Sequence, residues 1–282
     1  MLFVHRVPAP PLDGYIASIW YCDNEPRPFA LERVLPSGAA QLIVNLKENQ
    51  TRMYHPGQGR DWIATCCGTV LSGVSSRFGV IDTAEQESVA GVAFRPGGIA
   101  AFFPAPAHEM LDTDISLESL WGRPRASELR ERLLEAESPT ARLDVLERAM
   151  IETWRAPGLH PVVTFALHQF EERPETTRIA GVAGRTGLSA KRFIERFKST
   201  VGVTPKHYCR ILRFQRALAR AEAGRHVEWA RIALDCGYFD QAHFIRDFRA
   251  FAGITPTGYE AGRTQFRNHV KFVQSDAAME VR

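Results

Sequence analysis

One pattern occurs twice in this chain. Gly187-Leu-Ser-Ala-Lys-Arg-Phe-Ile-Glu-Arg-Phe-Lys-Ser-Thr-Val-Gly-Val-Thr-Pro205 returns as Gly237-Tyr-Phe-Asp-Gln-Ala-His-Phe-Ile-Arg-Asp-Phe-Arg-Ala-Phe-Ala-Gly-Ile-Thr-Pro256. Phe193, Phe197, Gly202, Thr204 and Pro205 map onto Phe244, Phe248, Gly253, Thr255 and Pro256 at one constant shift. Upstream, Ile179-Ala-Gly-Val-Ala183 matches Trp229-Ala-Arg-Ile-Ala233 at a shift one residue shorter, which places an extra residue in the turn after Gly237. Two copies of helix, glycine turn and helix use one kind of surface twice. Duplex DNA offers a surface that repeats in the same way.

The local chemistry of each copy agrees with that outline. Its first helix is rich in small residues and ends towards Gly187 or Gly237, where glycine adopts the left-handed conformation that turns the chain sharply. The next helix opens at Ser189 or Asp240, side chains that cap free backbone N–H groups. Phe193/Phe197 and Phe244/Phe248 are spaced i,i+4 and face the first helix. Opposite them lie Lys191, Arg192, Ile194, Glu195 and Arg196 in copy one, and Gln241, Ala242, His243, Ile245 and Arg246 in copy two. Polar side chains at a helix start, turned from the core, suit base edges in the major groove. Lys206 to Glu222 reads as one connecting helix, able to hold the copies roughly 34 Å apart, one turn of DNA. Its Arg210, Arg213, Arg216 and Arg220 fit either phosphate contacts or simple solvation.

Charge points the same way. The chain's net +3 hides an asymmetry: residues 178–260 hold 15 Lys+Arg against 7 Asp+Glu, a net of +8, and the remainder nets −5. A basic repeat beside a mildly acidic partner is the footprint of nucleic-acid binding joined to a second function, although a solvated charged surface gives the same count. Five cysteines without CxxC spacing argue against a disulfide framework or a structural zinc and for a reducing cytoplasm. No signal peptide or membrane-spanning run is apparent.

The first 105 or so residues read as strands. Ile16–Tyr21, Ala40–Leu46, Gly68–Val74 and Ser88–Phe94 are short and β-branched, separated by the turn formers Pro36-Ser-Gly38, His55-Pro-Gly-Gln-Gly59 and Arg95-Pro-Gly-Gly98. They predict a small antiparallel barrel or sandwich. Helices follow over Ser127–Glu137 and, after a Ser138-Pro139 start, to about Trp154. The second carries a stripe of Leu143, Leu146, Met150 and Trp154 that suits either barrel packing or a dimer seam. Ala156–Pro161 reads as a linker and Val162–Glu172 as the first helix of the repeat region. His5, His55 and His108 are isolated, so a metal site is disfavoured. Adjacent Cys66 and Cys67 point to opposite faces of a strand, and a structural role is favoured over a redox sensor. Arg95–Gly98 reads as a tight turn, and Trp20, Tyr21, Phe94, Phe102 and Phe103 as core rather than pocket lining. No Gly-x-Ser-x-Gly, P-loop or dinucleotide fingerprint stands out.

The pattern Trp229-Ala-x-Ile-Ala-x-x-x-Gly-Tyr…Phe244-x-x-x-Phe-Arg-x-x-x-Gly-Ile-Thr-Pro-x-x-Tyr259 resembles the signature of the AraC/XylS family of bacterial transcription regulators, over about residues 160–260. The resemblance implies base-reading positions at Lys191, Ile194 and Glu195 in copy one and at Gln241, Ala242, His243 and Arg246 in copy two. Ile194, Glu195 and Ala242 depart from the long donors usual there. Ile194 suits a thymine methyl and Glu195 the N4 amine of cytosine. Gly181 and Gly184 weaken the first helix of copy one by about 1 kcal/mol each relative to Ala.

Arg33-Val-Leu-Pro-Ser-Gly…Gln41-Leu-Ile-Val-Asn-Leu46, Val92–Gly98, Ala107-His-Glu-Met110 and Leu120-Trp121 resemble, more distantly, the N-terminal sensory domains of some such regulators. The expected fold is therefore α+β in two domains: an antiparallel, cupin-like β-barrel with helices, then an all-α domain with two helix-turn-helix motifs joined by a linker helix. The boundaries expected are 1–156 for a sensory, effector-binding or dimerisation domain, 157–262 for the double helix-turn-helix, and 263–282 for a tail. Double-stranded DNA is the expected partner, with no catalysis, cofactor, metal or membrane. A small effector, RNA polymerase and a second copy of the chain are further partners consistent with this reading. The rivals are an enzyme tethered to DNA and a ligand-independent activator whose barrel docks a protein.

Overall fold

The computed structural model of the chain describes residues 1–54, 62–155, 158–223 and 227–272. The expected turn His55–Gly59 and residues 156–157 of the linker lie outside the described residues. Among those described, strands β1 (Leu2–Arg6), β2 (Ile16–Asp23), β3 (Leu31–Val34), β4 (Gln41–Asn45), β5 (Thr51–Tyr54), β6 (Trp62–Cys66), β7 (Thr69–Ser72), β8 (Gly79–Asp82), β9 (Ser88–Phe94) and β10 (Asp114–Ser116) precede the main helices. Helices α1 (Leu117–Trp121), α2 (Arg123–Glu135) and α3 (Pro139–Thr153) come next. Then follow α4 (Pro161–Glu172), α5 (Ile179–Gly184), α6 (Ala190–Val201), α7 (Pro205–Ala223), α8 (Trp229–Asp235), α9 (Gln241–Ala252) and α10 (Pro256–Gly262), and last a strand, β11 (His269–Lys271).

The strands pair antiparallel. A six-stranded sheet runs β1-β2-β9-β4-β7-β10, a three-stranded sheet runs β11-β3-β8, and β5 pairs with β6. Alternation along β2 sorts its two faces. Ile19 and Tyr21 point to the core that α3 covers, while Trp20 and Cys22 point to a cavity on the other face. Ser138 caps α3 by accepting from Ala141 N–H at 3.1 Å, with Pro139 at the first helical position. Leu143, Leu146 and Met150 are buried in that core. The stripe is thus barrel packing, and the dimer-seam reading is excluded for it.

Phe94, Phe102 and Phe103 lie in the same core with Tyr21, Phe94 meeting Phe102 at 5.4 Å between ring centroids. The core reading holds for these four. Trp20 is the exception, a half-buried ring in the cavity wall. Arg95–Gly98 is a tight turn whose Gly97 has φ of 79°, anchored by Arg95 Nε donating to Asp13 O at 2.7 Å.

The apolar interior does not stop where the strands end. One buried cluster runs from the barrel through α3 and α4 to Phe193, Phe197, Val201 and Tyr208 of copy one. A second joins Leu31, Leu35, Phe78 and Val80 to Phe214, Phe244, Phe248, Phe251 and Tyr259 of copy two. The segment after α10, expected as a tail, returns to the barrel through β11, whose His269, Val270 and Lys271 pair with Val34, Arg33 and Glu32 of β3.

Candidate nucleic-acid interface and barrel cavity

Each copy is built as its sequence dictates. Gly187 and Gly237 turn the chain at φ of 71° and 75°, a backbone that side chains disfavour. Ser189 Oγ then accepts from Arg192 N–H at 3.3 Å, and Asp240 Oδ1 from His243 N–H at 2.6 Å, so both second helices start at a satisfied cap. Phe193 and Phe197 are buried against α4, where Phe170 meets Phe197 edge-on at 5.7 Å. In copy two the Trp229 ring stacks on Phe244 at 5.8 Å, and Tyr238 meets Phe244 at 5.1 Å. With these aromatic faces turned inward, α6 and α9 must show their other side to solvent.

That side carries the residues singled out by sequence. Ser189, Lys191, Arg192, Ile194, Glu195 and Arg196 are exposed, as are Asp240, Gln241, Ala242 and Arg246. His243 is half-buried: its ring edge rests on Tyr238 at 5.3 Å, and its Nε2 lies 3.9 Å from the buried Asp247 carboxylate. Arg231 and Arg249 add exposed cations beside α9.

The four arginines of α7 have other work. Arg210 makes a two-pronged bond to Asp247, at 2.9 and 3.2 Å. Arg216 pairs with Glu175 and donates to Glu171 O and Glu172 O. Arg220 pairs with Asp235 at 2.9 Å, and the Arg213 guanidinium lies over Tyr238, 5.3 Å from the ring centroid. These cations tie the helices to one another. Burial, with Asp247 nearby, pushes the Tyr238 hydroxyl up and keeps it un-ionised.

The residue inserted in copy two is Phe239, between Tyr238 and Asp240. Tyr238 already fills the inward place that Leu188 holds in copy one, so Phe239 is left 88% exposed. The one-residue change in repeat shift carried this signal.

The barrel holds two adjoining cavities. One, of about 190 Å³, is lined by Phe3, Trp20, Asn24, Arg27, Phe266 and His269, among others. The other, of about 340 Å³, shares Gln41, Phe266 and His269 with it. At their common edge Glu32 is fully buried, paired with Arg27 and accepting from His269 Nδ1 at 2.9 Å. Burial and the neighbouring Arg27 push His269 down to about 4, which leaves a neutral ring with its proton on Nδ1. Among the described residues no group of three or more His, Cys, Asp or Glu side chains converges as metal ligands. All five cysteines are free thiols, and burial pushes Cys66 up to about 12, the opposite of what a thiolate sensor needs.

Residues 182–262 match a family model described as a helix-turn-helix domain. Those residues form an AraC/XylS-type DNA-binding domain. The chain accordingly carries a DNA-binding domain of the kind found in AraC-type regulators. Residues 5–116 match a second model, described as a domain of unknown function. No curated protein matches the chain. Among solved structures, an AraC-type transcriptional regulator from Chromobacterium violaceum is 28% identical over 37% of this chain and 94% of its own, with a TM-score of 0.34. ToxT from Vibrio cholerae, in a form bound to unsaturated fatty acid, is 11% identical over 91% of this chain and 94% of its own, with a TM-score of 0.44. Among the described residues, no helix is long and apolar enough to cross a membrane.

Proposed function

We propose that this regulator reads two adjacent major-groove segments of its operator with α6 and α9, under the control of a small effector held in the barrel. Lys191, Ile194 and Glu195 face bases in one segment, and Gln241, Ala242, His243 and Arg246 in the other. Ser189, Arg192 and Arg196 frame those contacts at the phosphate backbone, and Asp240, in the same DNA-facing set, caps the helix that presents the second group. The carrying observation is the contrast in use of charge: the arginines of α7 are consumed by internal partners, while the long side chains of α6 and α9 stand exposed at the starts of two capped helices. Phosphate contacts supply salt-sensitive affinity, and base contacts supply choice of sequence.

The test is protection of DNA upstream of the regulator's own and adjacent genes, at fixed salt with random competitor. The expected result is a pair of protected sites about one helical turn apart. Salt-sensitive binding with no preference among sequences would overturn the reading role given to α6 and α9. A ligand-independent activator whose barrel docks a protein such as RNA polymerase is the rival. Unfilled cavities of about 190 and 340 Å³ favour the effector.

A further inference from the structure

The three-stranded sheet has two faces with different neighbours. On one face Glu32 of β3 and His269 of β11 border the cavities. On the other, Leu31, Leu35, Val80 and Val270 enter the core of copy two beside Phe214, Phe248 and Tyr259. A single sheet therefore separates the barrel's empty space from the second helix-turn-helix.

The edge strand of that sheet comes from the segment following α10. Arg263 N–H donates to Tyr259 O at 2.8 Å, and Tyr259 Oη donates to Arg267 O at 3.0 Å, so the segment leaves the second motif under restraint. It is then held by Leu35 N–H donating to Asn268 O at 2.8 Å, Phe272 N–H donating to Leu31 O at 3.0 Å, and Gln215 Nε2 donating to Asn268 Oδ1 at 3.0 Å. On its way it lays Phe266 across the smaller cavity, 5.8 Å from the Phe3 ring and beneath the Arg27 guanidinium.

The smaller cavity has a definite chemistry. Phe3, Trp20 and Phe266 give it aromatic walls. Its charges cancel, because Arg27 is matched by Glu32 and His269 is neutral. One polar group is left over: Asn24 Oδ1 is buried without a partner. The Gln41 amide, which borders both cavities, makes no protein hydrogen bond among the described residues. A buried acceptor without a donor is costly, and a ligand that supplies the donor recovers that cost. An apolar cavity of about 150 Å³ accommodates benzene, so about 190 Å³ suits one six-membered ring with a small substituent.

Resting on the effector reading above, we propose that the effector is a neutral single-ring aromatic molecule bearing a hydrogen-bond donor, and that residues 263–272 form the wall that reports its presence. The ring stacks among Phe3, Trp20 and Phe266, and its donor meets Asn24 Oδ1 or the Gln41 amide oxygen. Such a ligand binds the docked segment better than the released one, and this difference shifts the docking equilibrium. Because the segment continues directly from α10, the shift reaches the second motif and leaves the first unmoved.

The experiment uses the full chain with phenol, aniline and benzyl alcohol as probes, and benzoate and cyclohexanol as controls. Binding is read by thermal stabilisation, coupling by hydrogen exchange of residues 263–272, and output by operator affinity with and without probe. The expected result is stabilisation by the neutral aromatic donors alone, slower exchange over 263–272, and a change in operator affinity of 5-fold or more. The double change Asn24→Leu/Gln41→Leu and the single change Phe266→Ala should each weaken probe binding at least 10-fold, while Leu134→Ala, on the exposed face of α2, should not. Probe binding with unchanged exchange over 263–272, and intact in Phe266→Ala, would overturn the proposal. An effector of another class that shifts operator affinity without protecting 263–272 would also overturn it, and would leave the effector reading standing. Loss of sequence-specific DNA binding in every condition would instead strike at that underlying reading.

Discussion

Copy one and copy two share a fold and differ in what they lean on. Copy one continues the barrel's main core: the short helical turn Ala107–Met110 and Val74 share a cluster with Phe193, Phe197 and Val201. Copy two leans on the thin three-stranded sheet, which the chain itself completes with β11. The recognition faces diverge as well. At the repeat shift, Arg196 corresponds to Asp247: the first is exposed, and the second is buried to hold Arg210. Glu195 corresponds to Arg246, an acceptor matched to a donor. One scaffold is used twice: copy one is set against the barrel's main core, and copy two against a thin sheet that β11 completes.

The largest effects that probe this contrast are core truncations. Phe197→Ala and Phe248→Ala should each cost about 3–5 kcal/mol, measured by denaturant unfolding. Their hydrogen-exchange footprints should differ: Phe197→Ala should loosen the barrel helices, and Phe248→Ala should loosen β11 and β3. Identical footprints would mean that the two copies share one support. Next is Arg210→Ala, which strands the Asp247 carboxylate beside half-buried His243; about 2 kcal/mol is expected, less than for a fully buried pair because Arg210 is partly exposed. Arg196→Ala at the matching place in copy one should leave stability unchanged.

Base reading comes third. Arg246→Ala should relax preference at one base pair by about 1–3 kcal/mol, seen in competition binding across single-base operator variants. Glu195→Ala should relax a different position, with cytosine rather than guanine favoured on the strand it meets. Uniform weakening across all sequences would make either residue a backbone contact. The smallest effect concerns the caps: Ser189→Ala and Asp240→Ala should each cost about 1 kcal/mol of stability. Asp240→Ala should cost more, because its bond is 2.6 Å against 3.3 Å and its charge lies at a helix N-terminus.

The repeat was legible because its signals are local. Glycine turns, caps and i,i+4 aromatic pairs announce themselves within about twenty residues, and each of Gly187, Ser189, Phe193, Gly237, Asp240 and Phe244 takes the conformation its type requires. The strands at Ile16, Gln41 and Ser88 were legible for the same reason, through β-branched runs bounded by turns. What escaped was the use of long side chains and of the last segment. An exposed arginine and one bonded to Asp247 look alike in sequence, since the partner lies 37 positions away. Strand β11 is three residues long and lacks alternation, so its pairing with β3 left no periodic trace. The cavity is likewise a product of distant elements, where Phe3, Trp20 and Phe266 meet.

That pairing also bears on how the protein is made. His269 and Glu32 are 237 positions apart in the chain, yet they share one buried cluster. A ribosome extends a chain at roughly 5–20 residues per second, so the first strands wait many seconds for their last neighbour. During that interval Glu32, paired with Arg27 alone, lacks the histidine and the covering strand. Copy one is therefore synthesised well before the strand that completes the three-stranded sheet.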